Sequence, residues 1–191
     1  MRKMLRRTLT TIKKRYFRRI FGAPRRLARR RGFGIHSPFA FDFVRRVIAQ
    51  PCSYYCYPML DELAKTENVK TSVVRLIFRV ALFFRPSQVK YLGVCPVSVV
   101  KAVEAACPEP MKSRGPVLSI ISAPVSSIDF DEVIQSVRKG NVMIFLNLKK
   151  DSSASKAAWA AAEHGMMFSG SDTSIYVGLQ HLPRQSYKVW L

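Results

Sequence analysis

One stretch of this chain has the form of a ligand-holding turn: residues 89–103, VKYLGVCPVSVVKAV. Val89–Val94 is apolar enough for a buried strand, Gly93 permits a turn, and a helix is expected to start at Val97. A turn of this kind suits a nucleotide. A glycine lets the ligand approach the backbone, and the helix N-terminus offers N–H donors and a positive dipole end to an anion. The candidate ligand-contacting residues are Tyr91, Gly93 and Cys95. The turn has one glycine, followed by Val94, Cys95, Pro96 and Val97. Branched side chains crowd the approach, and Pro96 brings no N–H. The shell of a binding site is present without most of its chemistry.

Other reactive groups are sparse. His36 precedes a helix start, His164 sits where a helix should end, and His181 follows the last expected strand, so structural roles account for all three. Cys52 and Cys56 have a CxxxC spacing, but no nearby histidine or further cysteine completes a zinc set. With Cys95 and Cys107 they read as free thiols of a reducing compartment. Asp129, Asp131 and Glu132 read as a capping box rather than a metal set. Tyr54, Tyr55 and Tyr57 could stack on a planar ligand, and packing under the N-terminal helices is the alternative. Lys149 and Lys150 end a central strand, where they could meet an anion or stand as a solvated pair. No P-loop, G-x-S-x-G or H-E-x-x-H motif occurs.

The chain has 191 residues, is 48% hydrophobic and carries a formal charge of +20. That suffices for one ordinary folded core and excludes a disordered chain. The charge is uneven. Fourteen basic residues and no acid lie within residues 1–31, which leaves +6 for the rest. Leu5, Leu9, Ile12, Tyr16 and Ile20 recur with helical period, so a basic amphipathic helix is expected up to about Gly22-Ala-Pro24. Its anion-facing set is Arg2, Lys3, Arg6, Arg7, Lys13, Lys14, Arg15, Arg18 and Arg19. Such a helix suits nucleic acid through counterion release, or an anionic membrane through charge and its apolar stripe. Each basic residue near such a membrane contributes about 1 kcal/mol. No apolar run is long enough to span a bilayer, since Val73–Phe84 is short and broken by Arg75 and Arg79.

Three segments follow: the basic helix and linker at 1–31, a helical segment at 32–86, and an alternating α/β segment at 87–191. Ser37-Pro38 should start a helix through about Ala49, carrying Phe39, Phe41, Phe43, Val44, Val47 and Ile48. Helices are expected over Met59–Thr66 and Thr71–Phe84. Beyond them come strand Val89–Val94, helix Val97–Ala106, strand Val117–Ser122 and a helix from Asp129 closed by Gly140. Strand Val142–Leu148, helix Ser153–His164 and a hairpin of Met166–Ser169 with Ile175–Gln180 complete the chain. This order implies a mostly parallel sheet with an antiparallel pair at one edge, preceded by helices.

RGFGIHSPFAFDFVRRVI (Arg31–Ile48) followed by YYCYP (Tyr54–Pro58) resembles the opening of a bacterial family of class I S-adenosylmethionine-dependent methyltransferases. The resemblance runs from about Arg31 to the end and implies a Rossmann-like three-layer sandwich. It also implies that S-adenosylmethionine would bind beside Gly93. The family's first motif has an acid two residues before its first glycine and a second glycine four residues after it. Here those positions hold Tyr91 and Val97. Ser122 and Ala123 stand where the family has Asp-Gly, and Leu146, Asn147, Leu148 and Lys149 stand for Asp-Asp-x-His. The second and third strands with their helices are missing on this alignment. The resemblance therefore implies a shortened, degenerate member without methyl transfer. The alternatives are an active methyltransferase with an atypical cofactor site, or a nucleic-acid or membrane-surface adaptor driven by residues 2–31. The expected location is the cytoplasm, with the head able to hold the chain at a membrane surface. Loss of two strands would expose the first strand at a sheet edge, so a homo-oligomer or cover by the N-terminal helices is expected.

Overall fold

The structure, a computed structural model, describes residues 34–109, 114–122, 129–149 and 151–191. The expected basic helix and its nine anion-facing residues lie outside these, as do Ala123 and Lys150. Six helices and six strands follow: α1 (Pro38–Phe43, continued as a π-turn Val44–Ile48), α2 (Tyr57–Thr66), α3 (Thr71–Phe84), β1 (Val89–Leu92), α4 (Val97–Ala106), β2 (Leu118–Ser122), α5 (Phe130–Arg138), β3 (Val142–Leu146), α6 (Ser153–Ala161), β4 (Met166–Ser169), β5 (Ser174–Val177) and β6 (Gln185–Lys188). The strands form one mixed sheet in the order β1-β2-β3-β5-β4-β6. β1, β2 and β3 are parallel, β5 is antiparallel to both β3 and β4, and β4 runs parallel to β6.

The local chemistry explains most boundaries. Ser37 accepts the Ala40 N–H at 3.3 Å as N-cap, and Pro38 opens the first turn. The Ala49 N–H bonds to Val44 O, widening the end of α1 into a π-turn. Arg79 from α3 closes that end, its Nε donating to Val47 O at 2.5 Å and its Nη2 to Ile48 O at 3.5 Å. α3 stops before Pro86 with Arg85 in the left-handed region, φ 44. Asp129 caps α5 by accepting the Asp131 N–H at 2.8 Å.

Three expectations need correction. The hairpin is not at the sheet edge: β5 sits between β3 and β4, and β6 lies outside it. β6 (QSYK) has no apolar alternation, because an edge strand need bury neither face. The capping box at Asp129 is half formed, since Glu132 reaches instead to Lys90 of β1 at 2.7 Å. Phe41, placed with the apolar set, is exposed because the wedge side of α1 is taken by Phe43 and Val47.

Helices cover both faces of the sheet. Leu118, Ile120, Val142, Ile144, Ile175 and Val177 face the layer built by α1–α4. Their neighbours in sequence, Ile121, Met143, Phe145 and Tyr176, face the layer built by α5 and α6. Two cores result from the period-2 alternation of strands buried on both sides. Phe43 is fully buried in the first core, with ring centroids 4.8 Å from Phe168, 5.6 Å from Phe83 and 5.7 Å from Phe84. No helix among the described residues is long and apolar enough to cross a membrane.

Candidate functional site

The carboxyl ends of β1, β2 and β3 lie side by side, with Leu92 opposite Ile121 and Ser122 opposite Leu146. Gly93, Ser122 and Asn147 therefore share one rim of the sheet, the rim where open α/β sheets hold ligands. Gly93 turns the chain there at φ 83, a conformation that favours glycine. The strand–turn–helix form expected from the sequence is present.

Its donors are already used. The Val97 N–H donates to Glu67 Oε1 at 2.7 Å, and the Ser98 N–H to Glu67 Oε2 at 2.9 Å. The Val99 and Val100 N–H groups both close on Pro96 O. All four N–H groups of the first turn of α4 thus have partners inside the chain. Glu67 comes from the C-cap of α2, thirty residues upstream. Burial pushes its carboxyl up, but the hydrogen bonds from Ser98 and Val97 outweigh this and hold it below its ordinary value. A carboxylate at this helix end satisfies the dipole as a ligand anion would.

The three candidate ligand residues have other duties. Cys95 points inward, its Sγ 3.9 Å from Ile120 O, and burial pushes its thiol up to about 11. A thiol so protonated is inert as a nucleophile. Burial, with smaller pushes from Cys95 and Glu104, drives the Tyr91 hydroxyl up to about 12. The Tyr91 side chain lies along β1 at 36% exposure rather than over the turn's donors. Val94 and Val97 stand at 79% and 55% exposure, so solvent meets aliphatic carbon at the turn.

At the neighbouring strand ends the polar groups also pair with one another. Asn147, held at φ 57, donates from Nδ2 to Ser122 Oγ at 3.3 Å. Asp172, from the β4–β5 turn, accepts from the Lys149 N–H at 3.3 Å. It also pairs with Lys70 at 3.2 Å and with the Lys149 ammonium at 3.8 Å. Burial raises the Asp172 carboxyl, but Lys70 and Lys149 more than offset it, so its pKa is lowered. Lys149 thus has a carboxylate partner within the chain. Glu67 and Asp172 were not singled out in the sequence, because each reaches the rim from an element far away along the chain. A capping residue normally adjoins its helix, and only Pro96, which cannot cap by side chain, hinted at a distant one.

The remaining candidates disperse. Tyr54 and Tyr57 pack on Phe78 at 4.9 Å and 5.7 Å, while Tyr55 is fully exposed. His36 and His181 are exposed, and His164 Nε2 lies 2.9 Å from Gly178 O. All four cysteines are free. Among the described residues no group of three or more His, Cys, Asp or Glu could hold a metal. No family model, no curated protein and no solved structure matches this chain.

Proposed function

We propose that this chain is a shortened methyltransferase-like α/β domain that does not transfer methyl groups and works by binding. The basic head at residues 2–31 is directed at an anionic surface. The observation that carries the reading is Glu67 on the Val97 and Ser98 N–H groups. S-adenosylmethionine needs a carboxylate for its ribose hydroxyls or amine and open backbone beside the glycine. Here Glu67 is paired with the α4 N-terminus and Asp172 with Lys70 and Lys149. The residues present do not fit that cofactor, so no methyl-transfer step is derived. The position of β1 at one end of the sheet accords with the absence of two strands beyond it. An active enzyme with an atypical cofactor site would have to displace Glu67 and leave the Val97 and Ser98 N–H groups to be satisfied again.

Titration calorimetry with S-adenosylmethionine tests the lost activity: no heat of binding is expected, and micromolar affinity refutes the reading. For the head, the apolar stripe Leu5, Leu9, Ile12, Tyr16 and Ile20 favours a membrane over nucleic acid, because a bilayer interface also buries carbon. Co-sedimentation with anionic liposomes should be lost when residues 1–31 are deleted. Retention by the shortened chain would refute this part.

A further inference from the structure

We infer that the free edge of β1 is a homodimer interface, with β1 pairing antiparallel to the β1 of a second copy about a two-fold axis at Tyr91. This goes beyond the loss of methyl transfer and does not rest on it. Among the described residues β1 ends the sheet, and only β2 pairs with it. The Leu118 N–H bonds to Gln88 O, so the backbone of Gln88, Lys90 and Leu92 faces β2. Alternation then turns the N–H and C=O of Val89 and Tyr91 outward along the edge, where no described residue pairs with them. Beside that edge runs a groove of about 650 Å³ between β1 and α4, lined by Val89, Tyr91, Val100, Val103, Glu104 and Cys107. Tyr91, Val94 and Val97, three of the exposed large apolar side chains, fall within seven residues at this edge.

Two features select a second copy of this chain as occupant. The first is register. In an antiparallel pair of identical strands, opposite residues share a face. An axis at Tyr91 makes Tyr91 and its copy a hydrogen-bonded pair, sets Lys90 against Leu92, and places both rings in the space between the two α4 helices. An axis at Lys90 would set two ammonium groups face to face, which is disfavoured. The second is charge. α4 exposes Lys101 and Glu104 one turn apart, 2.8 Å from each other. A two-fold axis sets α4 antiparallel to its copy, so each Lys101 can meet the other copy's Glu104. The opposite edge, β6, exposes Gln185, Ser186 and Lys188.

Light scattering on the size-exclusion eluate of the full chain tests this. The expected mass is twice the 21.7 kDa of one chain. Tyr91→Pro removes an outward donor without touching the β2 ladder, and should return the monomer mass. Glu104→Lys lies on an exposed helix face, leaves the fold intact and sets like charges opposite each other. It should also return the monomer mass, and Lys101→Glu added to it should restore the dimer. If Tyr91→Pro lacks native circular dichroism, the charge pair alone decides. A monomeric wild type, which would leave the edge to another protein's strand, overturns the inference. So does a larger assembly, or a dimer that survives Glu104→Lys unchanged.

Discussion

Around Phe43, rings from α3 and β4 lie within 6 Å of its own, and the Phe43 side chain has no exposure. At the β1–α4 turn, two valines face solvent, and the chain's own glutamate fills the place of a ligand. The first is built as packing demands, with volume filled and backbone ends closed. The second has a glycine turn, with Gly93 at φ 83, and a helix end whose first-turn N–H groups are paired within the chain. Tight packing and a self-paired helix end thus stand side by side in one fold. The path of the turn is set by β1, β2 and α4, which pack around it.

The sharpest break of this comparison comes from the packing side. Phe43→Ala should lower unfolding free energy by about 3–5 kcal/mol in urea titration, since the wedge between α1, α3 and β4 cannot collapse around the loss. A cost near zero would mean that the wedge is not the core. Arg79→Met should cost about 1–3 kcal/mol, because Val47 O and Ile48 O lose their donor while little volume changes.

The ligand side should respond more weakly and with pH. Glu67→Gln should cost about 1 kcal/mol near neutral pH, the worth of a helix cap. The sign follows from its lowered pKa. A carboxyl whose folded value lies below its unfolded one stabilises fully above the unfolded value, and loses that contribution as pH falls through the folded one. The wild-type and Glu67→Gln stabilities should therefore converge in acid, as denaturation series at stepped pH would record. A difference that widens on acidification would reverse the assigned shift. Smallest of all, Tyr55→Ser should change stability by less than about 0.5 kcal/mol, because that ring is fully exposed while Tyr54 and Tyr57 carry the packing.

The elements were legible because each is written locally. Ser37-Pro38 starts α1, Pro86 stops α3, and VMIFL in β3 has no polar position because both faces are covered. β6 was not legible, as an edge strand of Gln, Ser, Tyr and Lys has no face to mark. The site was legible only as a set of absences. Tyr91, Val97, Ser122 and Asn147 could be named from the sequence, but the bond between Asn147 and Ser122 and the partner of the Val97 N–H could not. Glu67 is read locally as the end of α2, and its role depends on where α2 and α4 meet in space. Lys149 looked available in sequence because Asp172, which pairs with it, lies more than twenty residues further on.

The central claim is that the ligand end of α4 is closed by Glu67. Carbon-detected nuclear magnetic resonance of the Glu67 carboxyl, titrated with pH in the presence and absence of S-adenosylmethionine, tests it most directly. The carboxyl should titrate below the ordinary glutamate value and should not move when the nucleoside is added. Titration at or above that value, or a resonance displaced by S-adenosylmethionine, would contradict the account.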